Sequence, residues 1–264
     1  MAFMFIFGLG YSAKRIRNAA LKQGWRVSGT GSDGDVDFSD ASAVKHALER
    51  ADYVLSSVPP ADESDPVLDQ YGTFLADFRG WMGYLSSSGV YGDAGGAWVD
   101  ESSPTGTGRR KARAVADAAW LELGARVFRL PGIYGPGRSV FDRIASGKAH
   151  RIDLAGQVFS RIHVDDIAGG IMAAMLAGEK APAGAYNLAD NCPASHNAVT
   201  EEACRLMGAT PPPLQSLEEA GLSPMARGFY AENRRIANEK IRRALDWSPL
   251  YPDFSAGLRA IWEG

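Results

Sequence analysis

Gly8-Leu9-Gly10-Tyr11-Ser12-Ala13 sets two glycines and a small residue at the spacing of a turn that cradles a dinucleotide pyrophosphate. The first glycine permits the tight reversal, the second lets phosphate approach the backbone, and the third small residue lets the next helix pack on the strand. The free N–H groups and positive dipole end of that helix then face the phosphates. A generic strand-to-helix turn is the competing reading, and position decides between them. Phe3 to Phe7 is a continuous apolar run that reads as a buried strand, and Tyr11 to Gln23 has the pattern of a helix ended by Gly24. The carboxylate expected about 20 residues beyond such a turn falls near Thr30-Gly31-Ser32-Asp33, and the strand's alternation puts Gly31 at the ribose position. With no carboxylate there, a 2′-phosphate meets no repulsion. Lys14, Arg15 and Arg17 crowd the helix start, where the dipole disfavours cations by about 0.3–1 kcal/mol each. Together these features favour NADP over NAD, with Thr30 and Ser32 flanking the ribose and Asp33 or Asp35 able to reach it. A solvated basic face explains the cations equally well. Val58-Pro59-Pro60 would wall the adenine pocket or simply end a strand.

The elements that must hold these residues read as strands alternating with helices. Strands are expected at Arg26 to Thr30, Tyr53 to Val58, Trp81 to Ser86, Arg126 to Leu130 and Ala185 to Leu188. Helices are expected at Ala41 to Leu48, Val67 to Phe78, Gly108 to Leu121, Ser139 to Ser146 and Asp165 to Ala177. That alternation means parallel βαβ units, so the fold class is α/β, a Rossmann-type doubly wound parallel sheet with a small C-terminal substrate lobe. Residues 1–191 form the expected NAD(P)-binding domain, with 136–161 contributing to the lobe, and 192–264 the lobe itself. Helices there are expected at Glu201 to Leu206, Asn238 to Leu245 and Phe254 to Trp262. The 264 residues carry 28 basic and 31 acidic side chains, a net charge of −3, which leaves no electrostatic footprint for nucleic acid or an anionic membrane. Ala2 to Phe7 is far shorter than the ~20 residues of a membrane span and has no basic segment before it, so neither an anchor nor a signal peptide is expected. Cys192 and Cys204 stand alone, which suits a reducing cytoplasm.

Four further segments fall in a familiar order: Ser86-Ser87-Ser88-Gly89-Val90-Tyr91-Gly92, Arg129-Leu130-Pro131-Gly132-Ile133-Tyr134-Gly135-Pro136-Gly137, Arg161-Ile162-His163-Val164-Asp165-Asp166, and Tyr186-Asn187-Leu188-Ala189-Asp190. With Asn238-Glu239-Lys240 and Leu245-Asp246-Trp247-Ser248-Pro249 near the end, the chain resembles the extended short-chain dehydrogenase/reductases, in their NAD-dependent, nucleoside-diphosphate-sugar epimerase and dehydratase branch. The resemblance implies a nicotinamide cofactor, hydride transfer at a carbinol or carbonyl, and a place for Pro131 beside the cofactor. It also implies that Ser87, three places before Val90, hydrogen-bonds the reacting oxygen. The bland alternative is a strand-end serine bonding its own backbone.

The same resemblance exposes a departure. The family's general acid/base is a Tyr followed four residues later by a Lys that lowers its pKa, both on one helical face. Between Pro104 and Leu121 there is no Tyr. Aligned on Lys111, Thr107 takes the Tyr place. Aligned on Asp117 as the acidic residue beyond the Lys, Arg109 takes the Tyr place and Arg113 the Lys place. None of these passes a proton near neutral pH as a Lys-assisted phenol does. Tyr91 or Tyr134 could supply the proton, although a packed aromatic is the simpler role for each. Arg109, Arg110, Lys111 and Arg113 could bind an anionic substrate group, or form a solvated face. Ser87, Tyr91 and Lys111 are the candidate catalytic set.

His163 directly precedes an expected helix for which Asp165 is a natural N-cap, so a structural role is expected for it. His46, His150 and His196 are scattered and no Cys or His cluster has ligand spacing, so no metal is expected. A serine-hydrolase elbow and a phosphate-loop motif are both missing from the sequence. The expected protein is an atypical NAD(P)-binding oxidoreductase or epimerase acting on a small carbonyl or hydroxyl substrate, a monomer or homodimer with small-molecule partners. A dinucleotide-binding redox sensor without turnover is the alternative.

Overall fold

The computed structural model describes residues 1–61, 64–109 and 111–264, so Arg110 lies outside the described residues. The first half contains β1 (Phe3–Phe7), α1 (Tyr11–Lys22), β2 (Arg26–Gly29), α2 (Ala41–Arg50), β3 (Tyr53–Ser56), α3 (Pro66–Ala76), β4 (Trp81–Ser87), β5 (Trp98–Val99), α4 (Lys111–Glu122) and β6 (Arg126–Leu130). The second half contains β7 (Gly132–Tyr134), α5 (Val140–Ala145), β8 (Arg151–Ile152), β9 (Arg161–His163), α6 (Val164–Ala177), β10 (Gly184–Asn187), α7 (His196–Met207), β11 (Leu214–Gln215), α8 (Pro224–Tyr230), β12 (Arg235–Ile236), α9 (Glu239–Leu245) and α10 (Phe254–Glu263).

Six strands pair in the order β10-β6-β4-β3-β1-β2, all parallel. A parallel sheet needs both faces covered, and the strand residues alternate accordingly. Met4 and Ile6 of β1 join Leu55, Leu85 and Phe128 against Ile16 of α1 and Ile167 and Ile171 of α6. Phe5 and Phe7 turn the other way, onto Val44 of α2, Tyr71 and Leu75 of α3 and Trp120 of α4. Each such fully buried side chain contributes roughly 1.5–3 kcal/mol. The strand order reverses beside β1, with β2 on one side and β3 on the other, which opens a crevice at the carboxyl ends of the strands.

The lobe over that edge is built from short pieces. β5 pairs with β12, β7 with β9 and β8 with β11, while α5, α7 and α10 share a small core of Val140, Phe141, Val199, Ala203 and Leu258. The residues after 192 are not all lobe. Ile241 and Trp247 join the α1–α6 core, and Lys240 Nζ donates to Ala185 O, so α9 covers the β10 edge of the sheet.

Several boundaries move for identifiable reasons. β3 stops at Ser56, before the prolines; Ser57 N–H still donates to Phe7 O, and its hydroxyl donates to Gly8 O. α4 starts at Lys111 rather than Gly108, since Gly108 packs against Gly89 and the Thr107 hydroxyl donates to Tyr91 O at 2.9 Å. α6 is capped by His163, whose Nδ1 accepts from Asp165 N–H, and not by Asp165. α7 begins several residues early at His196, capped by Ser195 Oγ accepting from Ala198 N–H. Among the described residues, no helix is long and apolar enough to cross a membrane.

Candidate active site

The glycine turn is held from behind by its own neighbours. Gly8 has φ +83° and donates its N–H to Thr30 Oγ1 at 3.1 Å, while Leu9 N–H donates to Thr30 O. Buried Thr30 therefore shapes the turn rather than lining the cleft, and Val58 closes on Gly8 so tightly that a Cβ there would lie 2.9 Å from Val58 Cγ2. Ala13 is fully buried where helix meets strand, as the spacing implied. Gly10 is different. It is the N-cap of α1 with no side-chain cap, and a Cβ on it would meet nothing within 4 Å. The first N–H groups of α1 thus open onto unfilled space, and a helix N-terminus of this kind favours negative charge.

That space belongs to a cleft of about 920 Å³ between the sheet edge and the lobe. Gly10, Tyr11, Ser12, Pro59 and Pro131 line it; Pro60 and exposed Ser32 do not. Ser57 and Arg138 also line it and escaped the sequence reading. The Arg138 guanidinium stacks 5.7 Å from the Tyr11 ring centroid while the Tyr11 hydroxyl donates to Pro136 O, so the 135–138 turn folds over the start of α1. No spacing rule links residues so far apart.

Two of the three cations at the start of α1 have partners of their own. Lys14 Nζ lies 2.5 Å from Asp33 and Arg15 lies 3.7 Å from Asp165. Asp35 is spent on β2, accepting from the Ser28 hydroxyl and from Gly29 N–H. Gly31 sits at φ +108° with a Cβ position 3.0 Å from Leu9 N, so close approach to the glycine turn by itself accounts for a glycine there. The crowding of cations therefore does not by itself demand a phosphate.

Ser87 ends β4 and lines the cleft. Its Oγ accepts from Gly89 N–H at 3.1 Å, which is the strand-end backbone bond, but that bond uses a lone pair and leaves the hydroxyl proton to be donated. Across Gly89 stands Arg234: a Cβ on Gly89 would lie 3.3 Å from Ser87 Oγ and 3.9 Å from Arg234 Nη2. Arg234 Nη1 is anchored on Gly92 O and Glu232 Oε2. Burial pushes the Glu232 carboxyl up, yet hydrogen bonds from Arg109 N–H and Arg234 outweigh it and hold the group below the usual carboxylate range. Glu232 also takes Arg109 Nε at 3.3 Å, and Arg109 lies over the Phe229 ring, so Arg109 is a strap between α8 and the segment leading into α4. Arg113 donates to the Tyr84 hydroxyl and reaches the cleft wall, while Lys111 is exposed and stands off it.

Tyr91 is not on the cleft wall either. Its hydroxyl donates to Asn187 Oδ1 at 2.8 Å and accepts from Arg129 Nη1 at 3.0 Å, and burial raises its pKa. Arg129 is paired with Asp117, which also accepts from Ser86 Oγ at 2.6 Å. This buried network fixes the end of β4, and with it Ser87. Tyr134 reaches the cleft wall, but its hydroxyl is buried without a partner among the described residues and burial drives its pKa upward. Tyr11 and Tyr230, which also line the cleft, are shifted the same way by burial. Among the described residues the cleft wall carries no lysine. Nor do they contain a group of three or more His, Cys, Asp or Glu able to hold a metal ion.

Fold and site together define a Rossmann protein with the fold of the NAD-dependent epimerases and dehydratases. The human epimerase family protein SDR39U1, solved with NADPH, superposes with a TM-score of 0.77 at 14% identity, covering 99% of each chain. A protein of Silicibacter pomeroyi described as functionally unknown and conserved superposes with a TM-score of 0.88 at 36% identity, over 100% of this chain and 99% of that one. The chain belongs to the same family as that protein. A 3-diazoavenalumate denitrifying reductase of a Streptomyces species is 31% identical over 161 residues, which is 55% of this chain. The match spans about half, 51%, of that curated relative. No family model matches the sequence.

Proposed function

We propose that this protein is an NAD(P)-dependent reductase or epimerase-like enzyme acting on a small carbonyl or hydroxyl substrate, with partners confined to small molecules and a cytoplasmic setting. The observation that carries the reading is the sharing of one cleft by the open cradle at Gly10 and the free hydroxyl proton of Ser87. When bound, the reduced nicotinamide supplies a hydride to the acceptor carbon. Ser87 donates its O–H to the acceptor oxygen, and the Arg234 guanidinium faces the negative charge that develops there. The proton that completes the alcohol comes from water, because burial shifts the tyrosines on the wall away from acid/base duty and, among the described residues, no lysine lines the cleft beside them.

The activity named for the Streptomyces relative favours a second kind of acceptor. Hydride delivered to the terminal nitrogen of a diazonium gives a neutral diazene, so no alkoxide forms and no proton donor is needed. An aryl diazonium is therefore a sound trial substrate beside simple ketones.

The first experiment is a titration with NADPH and NADH followed by tryptophan quenching, then a comparison of Ser87→Ala with the parent. Turnover should fall by about 100-fold, the scale of one lost oxyanion donor, with dinucleotide affinity unchanged. Unchanged turnover would remove Ser87 from the chemistry, and binding without any turnover in the parent would leave the sensor reading standing. NADP preference rests on Gly31 and on Lys14 and Arg17 beside it, with Asp33 as the counterweight. Asp33→Asn should tighten NADPH by about two- to fivefold, the usual range for an exposed ion pair, and leave NADH unaffected. Equal effects on both would show that the 2′-phosphate is not near Lys14.

A further inference from the structure

α8 borders the cleft, yet none of its residues is buried. It is held by ties rather than by a core. Ser223 Oγ caps it by accepting from Ala226 N–H, Arg227 Nη2 donates to Leu217 O at 3.0 Å, and Arg109 lies 5.2 Å from the Phe229 ring centroid while pairing with Glu232. Apolar side chains are thereby fixed in place without being covered. Met225 is 67% exposed and Phe229 49%, both line the cleft, and their spacing of four puts them on one face of the helix. A helix on a soluble protein ordinarily turns such a face to the core; here it borders the cleft. Glu232, two residues past α8, pairs with the same Arg234 that stands beside Ser87, so this wall ends next to the reacting centre.

Aromatic rings continue the surface. Tyr230 meets Phe159 edge to face with centroids 5.5 Å apart, and both line the same cleft. The Tyr230 hydroxyl lies 3.1 Å from His150 Nε2, and the His150 ring meets His196 with centroids 4.9 Å apart, so the polar tip of the tyrosine is already engaged. The polar side chains next to this surface serve the fold: Ser160 is buried and accepts from Ile236 N–H, and Glu232 is held by Arg109 and Arg234. What α8 and its neighbours offer a ligand is a flexible thioether and aromatic rings. A sugar bears a hydroxyl on nearly every carbon and would bury them there unpaired. A planar aromatic ring carries no such cost, and it gains sulfur–ring and ring–ring contacts beyond the area it buries.

We infer that the acceptor carries an aryl ring, which lies on the α8 wall against Met225, Phe229 and Tyr230 while its reacting centre faces Ser87. Met225 and Phe229 are then specificity-determining residues. The inference rests on the proposed function in one respect, that this cleft is where the acceptor binds. It narrows the acceptor from small carbonyls in general to aryl ones and sets sugar nucleotides aside.

The test uses the full chain with isotope-labelled methionine methyl groups, seven in all, the Met225 signal being assigned from its loss in Met225→Leu. Acetophenone is titrated with and without NADP. A saturable ring-current shift of the Met225 methyl is expected, while the methyl of Met1, 85% exposed, stays unmoved and controls for non-specific apolar contact. UDP-glucose should leave Met225 where it is. Cyclohexyl methyl ketone should bind about three- to tenfold more weakly than acetophenone, the scale of ring contacts beyond area burial. Met225→Ala, at a position the core does not use, should weaken acetophenone to a similar degree, read from saturation transfer to the ligand's ring protons, with the thermal midpoint unchanged. No saturable shift with acetophenone, a saturable shift with UDP-glucose, or equal affinity for the two ketones or for Met225→Ala and the parent would overturn the inference. NADPH binding is measured in parallel; its failure would count against the proposed function, while the titration without dinucleotide still reports on this wall alone.

Discussion

Gly10→Val is expected to leave the fold intact and abolish dinucleotide binding. Gly10 has φ −84° and ψ −166°, extended backbone that any residue adopts, and a Cβ there would meet nothing within 4 Å. Stability should therefore change little. The open space is nevertheless the approach to the first N–H groups of α1, and a branched side chain occupies it. Losing two hydrogen bonds to a charged group, at about 1.5–3 kcal/mol each, weakens binding by on the order of 100-fold or more. Gly8 supplies the contrast, since φ +83° and the 2.9 Å approach to Val58 make Gly8→Ala a folding defect. The pair separates a binding role from a scaffold role: tryptophan quenching by NADPH and NADH reads one, thermal denaturation the other. Gly10→Val retaining affinity within a few-fold of the parent would sink the assignment of the turn.

The second large effect is on stability. Asp117 is 2% exposed and Arg129 3%, joined by contacts of 2.7 and 3.1 Å, with Ser86 and Tyr91 completing the network. Burial disfavours the charge on Arg129, but its bonds to Asp117 and Tyr91 more than reverse this and hold it firmly protonated. Asp117→Ala leaves a buried guanidinium with no counter-charge, which costs about 3–5 kcal/mol. Denaturant melts would show this as a lower midpoint. The same variant frees Ser86, next to Ser87 at the end of β4, so turnover should fall further than the loss of folded protein explains. Because the damage comes from the stranded charge, removing both partners together in Asp117→Leu with Arg129→Met should be far milder than Asp117→Ala. Equal losses in the two variants would mean that the charge is not what the network stabilises.

How much of this was legible beforehand depends on the range over which each interaction acts. The run Phe3 to Phe7, the turn at Gly8 and Gly10 and the helices beginning near Ala41 and Val67 are visible because burial and hydrogen bonding there repeat over a few neighbouring residues. Ser195 capping α7 was also a local signal, but the apolar pattern that drew attention to the helix starts later, at Glu201. The pairs β5–β12, β7–β9 and β8–β11 have two or three residues per strand, too few to show a period, and each is fixed by a distant partner.

The site divides in the same way. From residue types and spacing came the cradle at Gly10, the place of Ser87 at a strand end and the lack of a Tyr four residues before Lys111 or Arg113. Tyr91 and Lys111 were mis-seated because sequence proximity to a motif does not say which way a side chain faces. The stacking of Arg138 on Tyr11, Arg234 beside Ser87, Lys14 against Asp33 and the meeting of His150 with His196 were decided only by the tertiary structure. By itself the sequence determined a parallel sheet and a glycine turn between a buried strand and a helix, since those follow from local backbone preference and apolar period. Which charges are neutralised and which stay free to meet a ligand is set by contacts between segments far apart in the chain, and those exist only once the lobe has folded over the sheet.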